Sequence, residues 1–572
     1  MNDVEREAAT PSERPRVLAA LGFERRPMVR WLSPPILVAA AVRVVASELF
    51  GQYADKREFE AALDPQPGPP LTYGEQDADE DGALWIDFVA DLGDGFDATY
   101  AVASLLASPR LELGGHVLPR GRALIMGGDQ VYPDPTREAY EHRFRGPYRA
   151  AFPWTDRRRP DLLAIPGNHD WYDGLTNFMR FFCGGLDIGA WRTRQRRSYF
   201  AVRLPHRRWL LGIDIQLDTY IDAPQLAYFK AVGLAPGDHV VLVTGKPSWT
   251  KVERDHVPDS YKNLRYFEDE VVRAAGAEVR LTLTGDLHHY ARYSAEDGSQ
   301  LVTAGGGGAY LAPTHLLPAA LTLPEGRPTY ALQTTYPDRA ASRRIARGAW
   351  ALPRLAPDLC AVVAGLHALL GVSLYAGLTS GDGWFALFAL LALVLAAATF
   401  GYCSVVGRLR RALAAAGHAA AHLALACAPA LVATQALGAE GVAGGVLVAA
   451  GSAVSGFLLG GVTFGVYLIL AHPFAPGHAN EVLACQAIPD HKNFLRLRFG
   501  ADGVTIFPVG IPRVPRAWAP APDDGTEAPY LRPVGHGLEA QLIEEPVHVP
   551  DGHGKPVAGP VAEPIATPAG GG

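Results

Sequence analysis

Charge and cysteine are what this sequence has least of. Charged residues make up only 19% of the 572 positions, while hydrophobic residues reach 48%. There are five cysteines, an odd number that cannot all pair. Cys360, Cys403 and Cys427 lie in apolar runs, and Cys183 and Cys485 are isolated, which excludes a disulfide framework and fits a reducing compartment. The formal net charge of -7 comes with no basic stripe, so no nucleic-acid partner is expected. The N-terminal stretch MNDVEREAATPSERPR lacks the apolar core of a secretory signal.

The apolar excess is concentrated between residues 359 and 471. Leu359–Leu378, Trp384–Val406, Ala412–Leu437 and Val442–Ala471 are apolar segments, each near the roughly 20 residues that a bilayer requires. They predict four transmembrane helices. Gly456, Gly460, Gly461 and Gly465 in the last one have the spacing of close helix packing. Arg339, Arg343, Arg344, Arg347 and Arg354 precede the first span. Arg408, Arg410 and Arg411 separate the second from the third, and Lys492, Arg496 and Arg498 follow the fourth. The loops around Asp382 and Glu440 carry no base, so both termini are expected in the cytoplasm of a multi-pass cell-membrane protein.

Around this region the chain divides into five blocks. Residues 1–80 form a leader with one helix, Ile36–Leu63, which either packs on the next domain or lies on the membrane surface. Residues 81–335 hold short apolar runs (LWIDFVA, ALIMGGD, LLAIPGNHD, VVLVTGKP, VRLTLTGDLHH) that end in Gly, Asp, Asn or His, the pattern of buried strands with ligands at their ends. YFAVRL and RWLLGIDIQ flank Pro205-His-Arg-Arg as a hairpin would. Residues 336–475 are the transmembrane region, and 476–515 a small β segment built on NFLRLRF and GVTIFPVGI. Residues 516–572, rich in Pro and Gly, are expected to be disordered.

The chemistry lies in the second block. In order it offers Asp91-Leu-Gly93, Gly128-Asp129-Gln-Val-Tyr132, Gly167-Asn168-His169-Asp170 and Gly285-Asp286-Leu-His288. A Gly-Asp pair after a strand is ordinary turn chemistry; four such elements in this order are not. Carboxylates, imidazoles and an amide oxygen on strand-end loops can converge on hard or borderline divalent metals. The set resembles the calcineurin-like metallophosphoesterases, and the DxG and GDxxY variants resemble their purple acid phosphatase branch.

That resemblance, over about 230 residues from Leu84 to His315, implies an α/β (α+β) two-sheet sandwich flanked by helices. It also implies two divalent or trivalent metal ions (Fe, Mn, Mg or Zn) that share one carboxylate. By position, Asp129 would be the bridge, Asp91, Tyr132 and His288 would complete the first metal, and Asn168 would bind the second. His169 would act as acid or electrostatic stabiliser toward the leaving group or phosphoryl group. Two positions depart from the family pattern: Gly245-Lys246-Pro247 stands where a strand usually ends in His, and Asp286 replaces the first His of GHxH. Both changes fall on the second metal: Asp286 can still ligate it through oxygen, whereas Gly245 has no side chain to do so.

Lys246, His289 and His315 are further candidates for substrate contact, against solvated-loop or local structural roles. Tyr132 is either a ligand or a core tyrosine. His418 and His422, four apart on one face of the third span, could bind metal or haem, and are read instead as helix-end residues near the interface. Asp214, Gln216, Asp222 and Gln225 are read as braces of strand ends. The expected activity is hydrolysis of phosphate mono- or diesters by a bilayer-anchored enzyme able to form homo-oligomers through its helices. The alternative is a membrane sensor or scaffold that keeps a metal or phosphate pocket without turnover.

Overall fold

The computed structural model describes residues 22–39, 42, 69–215, 221–254, 257–324, 326–475, 477–521 and 527–552. The apolar runs become strands β1 (Leu84–Val89), β2 (Ala123–Met126) and β3 (Asp161–Ala164). They continue as β4 (Phe200–Leu204), β5 (Arg208–Gly212), β6 (His239–Thr244) and β7 (Glu278–Thr284), followed by β8 (Tyr290–Ala295), β9 (Gln300–Ala304) and β10 (Thr329–Tyr336). Two mixed sheets result, with β1–β2–β3 parallel in one and β5–β6–β7–β9 parallel in the other. The β4–β5 hairpin turns through Pro205, His206 and Arg207, the last two in the left-handed region (φ 60° and 59°).

Alternation along β1 shows why the sheets stack. Leu84, Ile86 and Phe88 join Val241, Val243, Leu281 and Leu283 in a core between the sheets. Trp85 and Val89 face the other way, onto helix α1 (Phe96–Ala107). Parallel strands covered on both faces must be apolar on both.

After β10 the chain enters four helices long and apolar enough to cross a membrane: α2 (Pro357–Ser380), α3 (Gly383–Tyr402), α4 (Arg408–Ala436) and α5 (Gly441–Phe474). The chain enters and leaves this bundle at one end, where Ala346, Ala349 and Leu352 pack with Leu468, Ala471, Val482 and Leu483. His418 and His422 are buried inside the bundle rather than set at a helix end. His422 lies between His367 (2.9 Å) and His418 (3.1 Å), and His367 rests against Gly456 and Gly460.

The hairpin expected after the last span forms as β11 (Lys492–Gly500) and β12 (Gly503–Ile511), and it belongs to the sandwich: β11 pairs antiparallel with β1. Arg496 lies opposite Asp87 in that register, and its Nε donates to the Asp87 carboxylate at 2.7 Å with both side chains buried. The stretch beyond Pro515 corrects the expectation of disorder. Strand β13 (Val547–Pro550) pairs with β12, Asp551 binds Arg208, and Glu544 binds Arg292. Backbone pairing and charged clasps hold a Pro/Gly-rich segment that composition alone marks as loose. Residues 553–572 lie outside the described residues, as does the leader helix apart from helical positions 34–39 and 42.

Candidate metal centre

Three aspartates follow three strands, each in the left-handed region: Asp91 after β1 (φ 59°), Asp129 after β2 (φ 53°) and Asp286 after β7 (φ 67°). Such backbone is uncommon for residues with a side chain, and it clusters at functional sites where surrounding structure holds it. The Asp91 backbone is fixed by Gly128 and Ala309, and that of Asp286 by donation to Asp91 Oδ1 at 3.0 Å. Gly167 and Gly305 are required by close approach, since a Cβ at either would collide with the carboxylate of Asp129 or Asp91.

Ligand atoms of Asp91, Asp129 and His288 lie within 4.8 Å of one another, all buried. The Tyr132 hydroxyl sits among them, at 3.2 Å from Asp91 Oδ1, 3.2 Å from Asp129 Oδ2 and 3.0 Å from His288 Nε2. The four residues expected to hold the first metal thus lie together. Asp91 Oδ2, fully buried, has no hydrogen-bond partner among the described residues. Burial, then the carboxylates of Asp129 and Asp286, push the Asp91 carboxyl far up, and burial with Asp286 takes Asp129 to about 7. Burial likewise disfavours the imidazolium of His288. Oxygen and nitrogen donors crowded in this way, with one carboxylate oxygen unpartnered, fit a cation.

Asp129 reaches both halves of the expected pair. Its Oδ2 faces Tyr132, while Oδ1 accepts from the backbone N–H of His169 at 2.9 Å. Asp170 holds that turn by accepting from Gly167 N and from the Tyr140 hydroxyl. His169 Nδ1 donates to the Pro133 carbonyl at 2.8 Å, which leaves Nε2 to exchange a proton, and burial lowers its basicity. Asn168 is half-buried beside it, its amide donating to Tyr172 at 3.3 Å. Asp286 is half-buried at the edge of the cluster. Gly245 follows β6, whose Thr244 is in register with Thr284 of β7, so it lies alongside Gly285.

Of the three substrate-contact candidates, Lys246 and His289 are buried near these strand ends. His315 is placed elsewhere: Nδ1 bonds to Ser342 at 2.8 Å and Nε2 to His472, at the end of α5, at 2.9 Å. Both ring nitrogens are thereby committed to the junction with the bundle, which corrects its reading as a substrate contact. Asp214, Asp222 and Gln225 form one bracing network, and Gln216 lies outside the described residues.

Several neighbours of the cluster had not been singled out. Trp31 packs edge-on against Tyr132 (5.9 Å), His169 (5.7 Å) and Tyr310 (5.3 Å), and Tyr310 packs on His288 at 4.4 Å. Asp94, three residues past Asp91, accepts from Val29 N and Tyr310 N and so ties the leader to the glycine-rich loop. Lys492, at the start of β11, is fully buried, donates to the Ala309 carbonyl and is pushed down to about 8 by burial. Asp94 could have been suspected from its place beside the motif. In the sequence Lys492 is only a base after the fourth span; nothing local marks it as a neighbour of the site, from which the whole bundle separates it.

No protein-family model matches this chain, and no curated protein matches it. Among solved structures it is similar to one described as "Structure of PhoD", at 12% identity and a TM-score of 0.27, over 43% of this chain and 59% of that one. The chain therefore spans under two thirds of the length of that relative.

Proposed function

We propose that this chain is a membrane-anchored, metal-dependent hydrolase of phosphate mono- or diesters, with its site and both termini in the cytoplasm. The observation that carries the reading is the convergence of Asp91, Asp129, Tyr132 and His288 into one buried cluster at strand ends. In this reading those four hold the first cation, and Asp129, Asn168 and Asp286 hold the second. Bound cations would supply the positive charge that neutralises phosphate oxygens and acidifies an attacking water. Trp31 and Tyr310 limit access of bulk water to the cluster. His169, oriented through Nδ1 by Pro133, would present Nε2 to the departing oxygen or the phosphoryl group, giving a proton only from the imidazolium form, which burial disfavours and a bound phosphoester would favour. Lys246 and His289 are the candidate phosphate contacts. A second cation would be held by oxygen donors alone, because Gly245 brings no side chain, and would be the weaker of the two. That same glycine favours the other reading, a sensor that binds without turnover.

The test is elemental analysis of the full-length protein in detergent, with p-nitrophenyl phosphate and bis-p-nitrophenyl phosphate as substrates. Wild-type protein is expected to keep one tight ion through exhaustive dialysis and to recover activity on adding Mn²⁺ or Mg²⁺. Asp129→Ala should lose metal and hydrolysis while its circular dichroism is unchanged. Unaltered metal content in that variant would show that the site is misplaced. Metal without hydrolysis in the wild type would favour the sensor.

A further inference from the structure

The metal cluster and the entry end of the apolar bundle share their walls. Trp31 covers Tyr132 and His169, and the next residue, Leu32, is buried in the core formed by Ala346, Ala349, Leu352 and Ala471 at the bundle's end. Tyr310 covers His288, and Leu311 is buried in that same core. The loop that begins with Gly305 against Asp91 ends with His315 bonded to His472 of α5. Two separate segments thus pass from the metal cluster to the bundle within one residue, a step of about 3.5 Å along an extended chain.

The surface at this end is suited to a bilayer. Ile36 packs with Trp31 in the cluster around Tyr132, while Leu37, Val38 and Val42 beyond it are exposed, Val38 to 64%. Trp350, just before α2, is 59% exposed, as tryptophans at membrane interfaces commonly are. Arg343, Arg344 and Arg347 before α2 and Arg408 and Arg410 before α4 are exposed, as is Arg30, which pairs with Asp358; such bases attract anionic headgroups. With α2–α5 in a bilayer, the entry end of the bundle would fall at headgroup level, and the candidate metal cluster that shares its walls would lie beside it.

We propose that the substrate is a phosphoester of a membrane lipid, taken at the bilayer surface with its acyl or prenyl part still in the membrane. The inference rests on the phosphoesterase reading above and names its substrate class. A soluble phosphoester would not need the site at the bundle's end; a lipid phosphate, confined to the headgroup layer, can meet a tethered site only there.

The experiment uses the full-length protein in mixed micelles of a nonionic detergent and total polar lipid from the source cell. Lipid products are measured by mass spectrometry, and bis-p-nitrophenyl phosphate is assayed in parallel. A lipid phosphoester should be consumed at a rate that follows its surface mole fraction at constant bulk concentration. Val38→Asp should slow lipid turnover at least tenfold and leave hydrolysis of the soluble ester within twofold. Hydrolysis of the soluble ester with no lipid consumed, or a rate that follows bulk concentration alone, would overturn the proposal while leaving the phosphoesterase intact. Hydrolysis of neither would sink both.

Discussion

Tyr132 illustrates how much one side chain can carry. A buried tyrosine after a strand is ordinary core material, and this one does pack with Val29 and Ala309. Its hydroxyl, however, touches two carboxylates and an imidazole, with no backbone partner among its hydrogen bonds. Burial and then Asp129 and Asp91 hold its proton tightly, which a cation at the same point would reverse. As the resemblance to purple acid phosphatases implies, a phenolate on ferric iron absorbs visible light. Iron-loaded, oxidised protein should therefore be coloured, and Tyr132→Phe should bleach it while most of the iron stays with Asp91, Asp129 and His288. A visible spectrum that survives the substitution would return Tyr132 to the core.

The C-terminal segment shows what an element gains from distant partners. Glu544 accepts from Arg292 Nε at 2.8 Å and Nη2 at 2.7 Å, from Tyr290 at 2.5 Å and from Thr334 at 2.7 Å. All three partners are on β8 and β10, so the clasp pins the tail to the other sheet. Burial alone would raise the Glu544 carboxyl, but the bonds from Arg292, Thr334 and Tyr290 prevail and hold it below its ordinary value. A carboxyl lowered on folding contributes stability above its unfolded value of about 4.3 and loses it as pH falls through the folded one. Glu544→Gln should cost about 1.5–3 kcal/mol at pH 7, the range for hydrogen bonds to a charged group. The deficit should shrink as the pH falls below 4, which denaturant titrations at the two pH values would show. A deficit independent of pH would mean that the contact is steric.

For the whole molecule, the bundle is an excursion between two parts of one sandwich, leaving after β10 and returning at β11 beside β1. In the proposed reading, four crossings would return the chain to the side from which it left, and the base-rich flanks would place that side in the cytoplasm. Reporters inserted after Arg347, Gly381, Arg410 and Glu440 should read in, out, in and out. An outward reading at Arg347 would invert the orientation and move the metal centre to another substrate pool.

Much of this was legible locally. A run of twenty apolar residues makes a helix for a bilayer whatever surrounds it, and an apolar strand ending in Gly-Asp or Gly-Asn-His-Asp presents the same donors in any order of packing. The four spans and the residues Asp91, Asp129, Tyr132 and His288 could therefore be named from sequence, because each signal is contained in a few neighbouring positions. What folding alone revealed is non-local. Arg496 meets Asp87 across 409 positions, Lys492 reaches Ala309 across 183, and His315 meets His472 across 157. No pattern near any of these residues encodes its partner, since pairing of this kind follows from strand register and sheet closure. For the same reason composition marked the tail as disordered, although β12, Arg208 and Arg292 hold it. Composition measures what a segment can bury by itself, and this segment is held by surfaces that exist only after the rest of the chain has folded.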